Sequence, residues 1–155
     1  MAANPGPVDQ AITDGRLTLK RPYLDFLDNP PVVDITYGPG NSFLIHNPAW
    51  REEFVNKVLP PKGMPLNQDE DFVDRRLNSG RREAPVDEQG RIRIEQVYLG
   101  WAGLMAKSQA YLMPRDHHRW IEVSNEEGYY NSLRSSDDRW QEALNNVVEK
   151  LRRDQ

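Results

Sequence analysis

Gly15-Arg16-Leu17-Thr18-Leu19, running on to Tyr23-Leu24, occurs a second time as Gly90-Arg91-Ile92-Arg93-Ile94, running on to Tyr98-Leu99. The glycines, arginines, tyrosines and leucines fall in one ungapped register, and Leu17/Ile92 and Leu19/Ile94 are aliphatic matches within it. In a chain of 155 residues this spacing is close to half the length, so the pattern reads as one duplicated unit rather than a solenoid, which needs three or more copies. Each phrase alternates polar and apolar residues, the period of a half-buried strand. Each strand follows a turn. Asp14-Gly15 is a strong hairpin signal because both residues tolerate positive φ, and Asp87-Glu88-Gln89-Gly90 is the corresponding turn in the second copy.

Working outward, Val8–Ile12 reads as the strand before the first phrase, and Pro22 opens a short helix over Tyr23–Leu27 that Asn29-Pro30-Pro31 ends. The β-branched run Val32–Tyr37 and the run Ser42–His46 read as strands around the turn Gly38–Asn41. Asn47 is an N-cap with Pro48 at the first helical position, and Trp50, Phe54 and Val58 form the apolar stripe of a helix ending near Val58. A linking helix spans Asn67–Asn78, with Phe72, Val73 and Leu77 facing in. The second unit repeats the order: strand Arg82–Val86, strand Arg91–Ile94, a short helix Gln96–Met105 interrupted by glycines, strand Ser108–Met113, turn Pro114–His117, strand Arg119–Val123, and a helix capped by Ser124 or Asn125 through Leu133. A last helix, Asp137–Arg153, carries the stripe Trp140, Leu144, Val147, Val148, Leu151.

The composition, 37% hydrophobic and 28% charged, allows one modest core, and halves of this size are marginal alone, so they share a core or lean on other subunits. The absence of cysteine removes disulfides, thiolate metal sites and cysteine nucleophiles. No apolar run approaches the ~18 residues of a membrane span, and Met1–Pro7 lacks a secretory pattern, so a cytoplasmic protein is expected. No phosphate loop, dinucleotide fingerprint or nucleophile elbow is present, so neither enzymatic activity nor a cofactor is expected. His46, His117 and His118 lack metal-ligand spacing, and no metal is expected.

The net charge of −4 counts against nucleic acid as a partner, yet binding depends on where cations lie rather than on their total. Arg16 and Arg91 each follow a turn glycine, which presents a guanidinium for phosphate or for guanine O6/N7. The alternative is a surface arginine paired with an acid, and Asp87 lies within reach of Arg91. Lys20, Arg21 and Arg93 either extend the same positive face or decorate a solvated strand, with Glu95 beside Arg93 working against the former.

In Asp87-Glu88-Gln89-Gly90-Arg91-Ile92-Arg93-Ile94, together with Asp74-Arg75-Arg76-Leu77, Val97-Tyr98-Leu99 to Ala102-Gly103-Leu104, and Trp120-Ile121-Glu122-Val123, the chain resembles the MraZ family of bacterial transcriptional regulators, built on the swapped-hairpin barrel shared with AbrB-type proteins. The family mark is Asp-x-x-x-Arg once per half. The second half has it in full, while the first has Ile12 where the aspartate belongs. Lys20 and Glu95 stand where proline is common, and a Pro/Gly-containing extension precedes the first unit. The resemblance covers roughly residues 8 to 135. It implies an α+β fold of two tandem swapped-hairpin (double-split β-barrel, AbrB-like) units with flanking helices, which we place at 8–63 and 81–135 with a linking helix at 64–80; composition adds a flexible Pro/Gly tail at 1–7, and the apolar stripe a C-terminal helix at 136–155. It further implies a homo-oligomeric ring binding short promoter repeats ahead of cell-division and cell-wall genes, nucleoid-associated, with Arg16, Lys20, Arg21, Asp87, Arg91 and Arg93 as the DNA-binding set. No membrane or small-molecule partner is implied. Two other readings stay open: a ring-forming assembly protein without operator binding, and an antitoxin-like module that binds a protein through its last helix.

Overall fold

Asp14 and Gly15 both have positive φ, 54° and 71°, the geometry of a two-residue turn whose twist matches the strands it joins. That turn connects β1 (Val8–Thr13) to β2 (Arg16–Thr18), with Ile12 opposite Leu17 and Thr13 opposite Arg16. This computed structural model describes residues 2–134 and 140–154. The further strands are β3 (Val32–Tyr37), β4 (Ser42–His46), β5 (Arg82–Pro85), β6 (Arg91–Arg93), β7 (Ser108–Arg115) and β8 (Trp120–Ser124). The helices are α1 (Arg21–Phe26), α2 (Pro48–Val58), α3 (Gln68–Asp74), α4 (Gln96–Trp101), α5 (Glu126–Arg134) and α6 (Trp140–Arg153), and a π-helical turn, Arg75–Ser79, follows α3.

All eight strands join one antiparallel sheet in the order β5-β3-β4-β8-β7-β1-β2-β6. Its two ends, β5 and β6, come back beside each other and line a common cleft, so the sheet is nearly closed into a barrel. The first strand of each half pairs with the third strand of the other: β1 with β7, and β5 with β3. The duplicated phrases meet each other in β2 and β6. Leu17 faces Ile92, its own counterpart, and the flanking bonds mirror one another: the Leu19 amide donates to Gly90 O at 2.8 Å and the Ile94 amide to Gly15 O at 2.8 Å. The two copies are therefore related by an approximate two-fold axis through the Leu17–Ile92 pair.

One core fills the barrel with side chains of both halves, among them Ile12, Leu17, Phe26, Ile35, Phe43, Ile92, Tyr98, Leu112 and Val123. The shared core expected for such small halves is present. The tyrosines of the repeat also have matching tasks. Tyr23 Oη donates to Gly6 O (2.8 Å), and Tyr98 Oη donates to Gly80 O (2.6 Å), so each pins the segment that leads into the first strand of a half. Asn4 Nδ2 donates to Pro114 O at 3.0 Å, a further contact of the segment at 1–7.

β3 and β4 are covered on both faces. Val33, Ile35, Phe43 and Ile45 enter the barrel core, while Leu44 packs outward on Val55 and Leu77 in a second, smaller cluster. Beside it, Asp34 is fully buried. Arg51 Nε donates to its Oδ2 at 2.7 Å, Arg81 Nη1 donates to its Oδ1 at 3.2 Å, and Arg51 Nη1 also donates to Leu77 O and Asn78 Oδ1. This corrects the expected α2 stripe: Arg51 and Val55 are the buried residues, and Val58 is exposed. Phe72, expected to face in, is exposed, while Leu77 is buried and Val73 partly so. The expected turn Pro114–His117 moves to residues 116–119, because Pro114 pairs with Ile121 inside the β7–β8 ladder. The α4 helix is shorter than expected and ends at Trp101.

Asn47 caps α2, accepting from the amides of Ala49 and Trp50, and Asn125 accepts from the Gly128 amide at the start of α5. The α6 stripe Leu144, Val147, Val148 and Leu151 is exposed to solvent, and the Trp140 side chain and residues 137–139 of that expected helix lie outside the described residues. Among the described residues, no helix is long and apolar enough to cross a membrane.

Candidate nucleic-acid interface

Leu17 and Ile92 point into the core, at 0% and 1% exposure, so their neighbours in sequence point out. Antiparallel pairing then sets Arg16 directly opposite Arg93, and Thr18 directly opposite Arg91. The bonds at Leu19–Gly90 and Ile94–Gly15 fix the alternation of the ladder. Arg16 and Arg93 occupy a non-hydrogen-bonded pair, whose Cα atoms stand about 4.5 Å apart and whose side chains are the closest across a sheet. Like charges placed this way cost on the order of a few tenths of a kcal/mol each. Among the described residues neither Arg16 nor Arg93 forms an ion pair. Three arginines from two distant parts of the chain thus share the outward face of a two-stranded ribbon.

Asp87 acts beneath this face. Its Oδ1 accepts from the amides of Gln89 (2.9 Å) and Arg91 (2.8 Å), and its Oδ2 accepts from Arg91 Nε at 2.8 Å. The Arg91 amide first, with the Arg91 side chain and the Gln89 amide, holds the carboxyl below its ordinary pKa. The carboxylate spends its oxygens on the loop, and its grip on Nε leaves the two terminal nitrogens of Arg91 for another acceptor. Asp87 is therefore a positioning group. Its counterpart Ile12 is 1% exposed and part of the core, so Arg16 has no such clamp.

Lys20 and Arg21 follow β2 at the start of α1 and are exposed. The Leu19–Gly90 bond brings Lys20 next to the loop that carries Arg91. Arg21 lies 3.7 Å from Asp25, a solvated pair. By the same two-fold relation Glu95 stands beside Gly15, near Arg16, but its carboxylate lies 3.7 Å from Arg82. Sequence reasoning missed two members. Thr18 joins the face only through the β2–β6 register, and the exposed Lys107 follows Ala106, whose carbonyl accepts from the Gly15 amide at 2.9 Å. Nothing local marks Lys107, because the pairing that brings it close spans some ninety residues.

No protein-family model matches the chain, and no curated protein matches it. Among the described residues no group of three or more His, Asp or Glu is placed to hold a metal ion. His46 is buried against Thr36 Oγ1 at 2.8 Å, and His118 stacks on Trp120 at 4.4 Å between ring centroids. What the ribbon offers chemically is donors: guanidinium and ammonium groups on a flat two-stranded face, with a hydroxyl among them.

Proposed function

We propose that this protein is a DNA-binding regulator of the MraZ type, and that it meets DNA through the outward face of the β2–β6 ribbon with Arg16, Arg91 and Arg93. Lys20 and Arg21 flank that face, and Asp87 orients Arg91. The observation that carries the reading is the opposition of Arg16 and Arg93 without a carboxylate between them. Such a pair is unfavourable alone and favourable against phosphates, where each neutralised phosphate also releases counterions. A two-stranded ribbon is also an element that fits the major groove. The exchange of first strands between the halves supports the finer fold reading, a swapped-hairpin double-split barrel. Three or four cations make weak binding per subunit, so we place the protein in a homo-oligomeric ring on promoter repeats, where linked sites gain avidity. Its location would be the cytoplasm, on the nucleoid, and its action binding rather than catalysis.

The test is a fluorescence-anisotropy titration with the DNA upstream of its own gene beside a scrambled duplex. We expect preference for the native repeats. With about four phosphates neutralised per subunit, affinity should fall roughly a hundredfold between about 50 and 200 mM salt. The triple variant Arg16→Ala/Arg91→Ala/Arg93→Ala should lose most of the binding and most of the salt slope. Equal binding by wild type and triple variant would refute the assignment. A second reading, an assembly protein without an operator, draws on the exposed apolar stripe of α6 and on the net charge of −4. A well-formed oligomer that ignores DNA even at low salt would select it.

A further inference from the structure

On the side of the molecule formed by α4, the end of β3 and the π-helical turn lies an open groove of about 720 Å³. Its lining is largely aromatic and aliphatic, with Tyr37 and Trp101 meeting edge to face at 5.5 Å and Val97 55% exposed. Two guanidinium groups stand in the same lining, those of Arg75 and Arg76. Arg75 is paired with Asp71 at 3.0 Å. Arg76 is not paired with any carboxylate among the described residues; it lies over the rings of Phe72 (4.4 Å) and Trp101 (5.2 Å) and gives one Nη1 hydrogen bond, 2.7 Å, to Gly38 O. Most of its five donors remain uncommitted.

Two features mark this groove. The backbone here departs from α-helix: the Gly80 amide bonds to Arg75 O in the wide five-residue turn that carries both arginines, and such single π turns concentrate at functional sites. On the facing helix Gly100 leaves the groove open, since a Cβ there would meet nothing nearer than Gln96 Nε2 at 4.0 Å. The volume lies within the range of small-molecule sites, which join apolar walls to a few placed polar groups.

We propose that this groove is a binding site for an amphiphilic organic anion, an aromatic or branched apolar body bearing one carboxylate, with the apolar body against Val97 and Trp101 and the carboxylate on Arg76. The uncompensated cation beside apolar walls selects the charge, because a guanidinium with free donors pairs with a carboxylate through charge-assisted hydrogen bonds. The site is independent of the arginine ribbon, although α4 begins three residues after Arg93.

The test uses the full chain and two probes, 4-phenylbutyrate and its neutral analogue 4-phenylbutanol, each titrated by calorimetry and by displacement of 1-anilinonaphthalene-8-sulfonate. Saturable one-to-one binding of the acid is expected, at least tenfold tighter than the alcohol. Arg76→Gln should abolish that preference, and Gly100→Leu, which fills the groove without touching the core, should abolish binding of both. Equal affinity for acid and alcohol would overturn the proposal, as would binding untouched by Gly100→Leu. Light scattering on Gly100→Leu covers the remaining occupant: an oligomer that dissociates would make the groove a seat for a second copy and would also overturn it. If Arg76→Gln fails to fold, Gly100→Leu and the acid–alcohol pair still decide.

Discussion

Ile12 and Asp87 hold the same place in the two copies and do opposite things. Ile12 is buried in the barrel, while Asp87 lies in solvent and closes a loop through three hydrogen bonds. Restoring the apparent symmetry should therefore fail. Ile12→Asp would bury a carboxylate without a partner, and urea denaturation should show a loss of several kcal/mol, about 3 or more. Asp87→Ala should leave the unfolding midpoint nearly unchanged but speed amide exchange at Gln89 and Arg91. His46 makes a different prediction. Burial, and then the charge of Arg51, lower its pKa from 6.5 to about 3. Between those values the unfolded chain takes up a proton that the folded chain refuses, so stability falls as pH falls from about 6.5 toward 3. The slope from this residue alone is at most about 1.4 kcal/mol per pH unit. His46→Gln should flatten that part of the curve, measured by denaturation at a series of pH values.

At the scale of elements, the strands Val32–Tyr37 and Ser42–His46 and the start of α2 at Asn47-Pro48 were legible because local rules decide them: β-branched runs, a Gly-Pro-Gly turn, and a cap followed by proline. The buried face of α2 was not legible. Hydropathy favours Trp50, Phe54 and Val58, whereas the structure turns Arg51 inward because Asp34 waits on β3. A buried ion pair is a meeting of residues from different elements, and no periodicity within one helix reports it. Asp34→Asn should cost about 3 to 5 kcal/mol, because it strands Arg51 and weakens Arg81. Replacing Asp34 and Arg51 together by Leu and Met should recover much of that loss, a double-mutant cycle read by chemical denaturation. The candidate site divides in the same way. The repeated Gly-Arg phrase marked Arg16 and Arg91, but their alignment with Arg93 and Lys107 depends on which strands pair.

For the whole molecule, the duplication was visible in the repeat, and a swapped arrangement was expected only through the family resemblance; the residues themselves did not show that β1 pairs with β7 and β5 with β3, because these partners lie far apart in sequence. Val8 pairs with Leu112 and Val32 with Pro85. Neither half owns a complete core. Fragments cut in the exposed segment near Met64 should each lack a cooperative thermal transition and regain one when mixed, as followed by circular dichroism. By contrast, removing α6 should leave the transition in place, since Leu144, Val147, Val148 and Leu151 are exposed and, among the described side chains, none of α6 is in the core. The pairing of β1 with the distant β7 also sets a timetable on the ribosome. At about 5 to 20 residues per second, the chain from β1 to its partner strand takes on the order of 5 to 20 s to be synthesised. Throughout that interval the hairpin with β2 can form at Ile12 and Thr13, but the opposite edge of Val8–Ile12, which β7 covers in the folded chain, has no partner. Slower synthesis before residue 108 would therefore lengthen the time for which this edge stays uncovered.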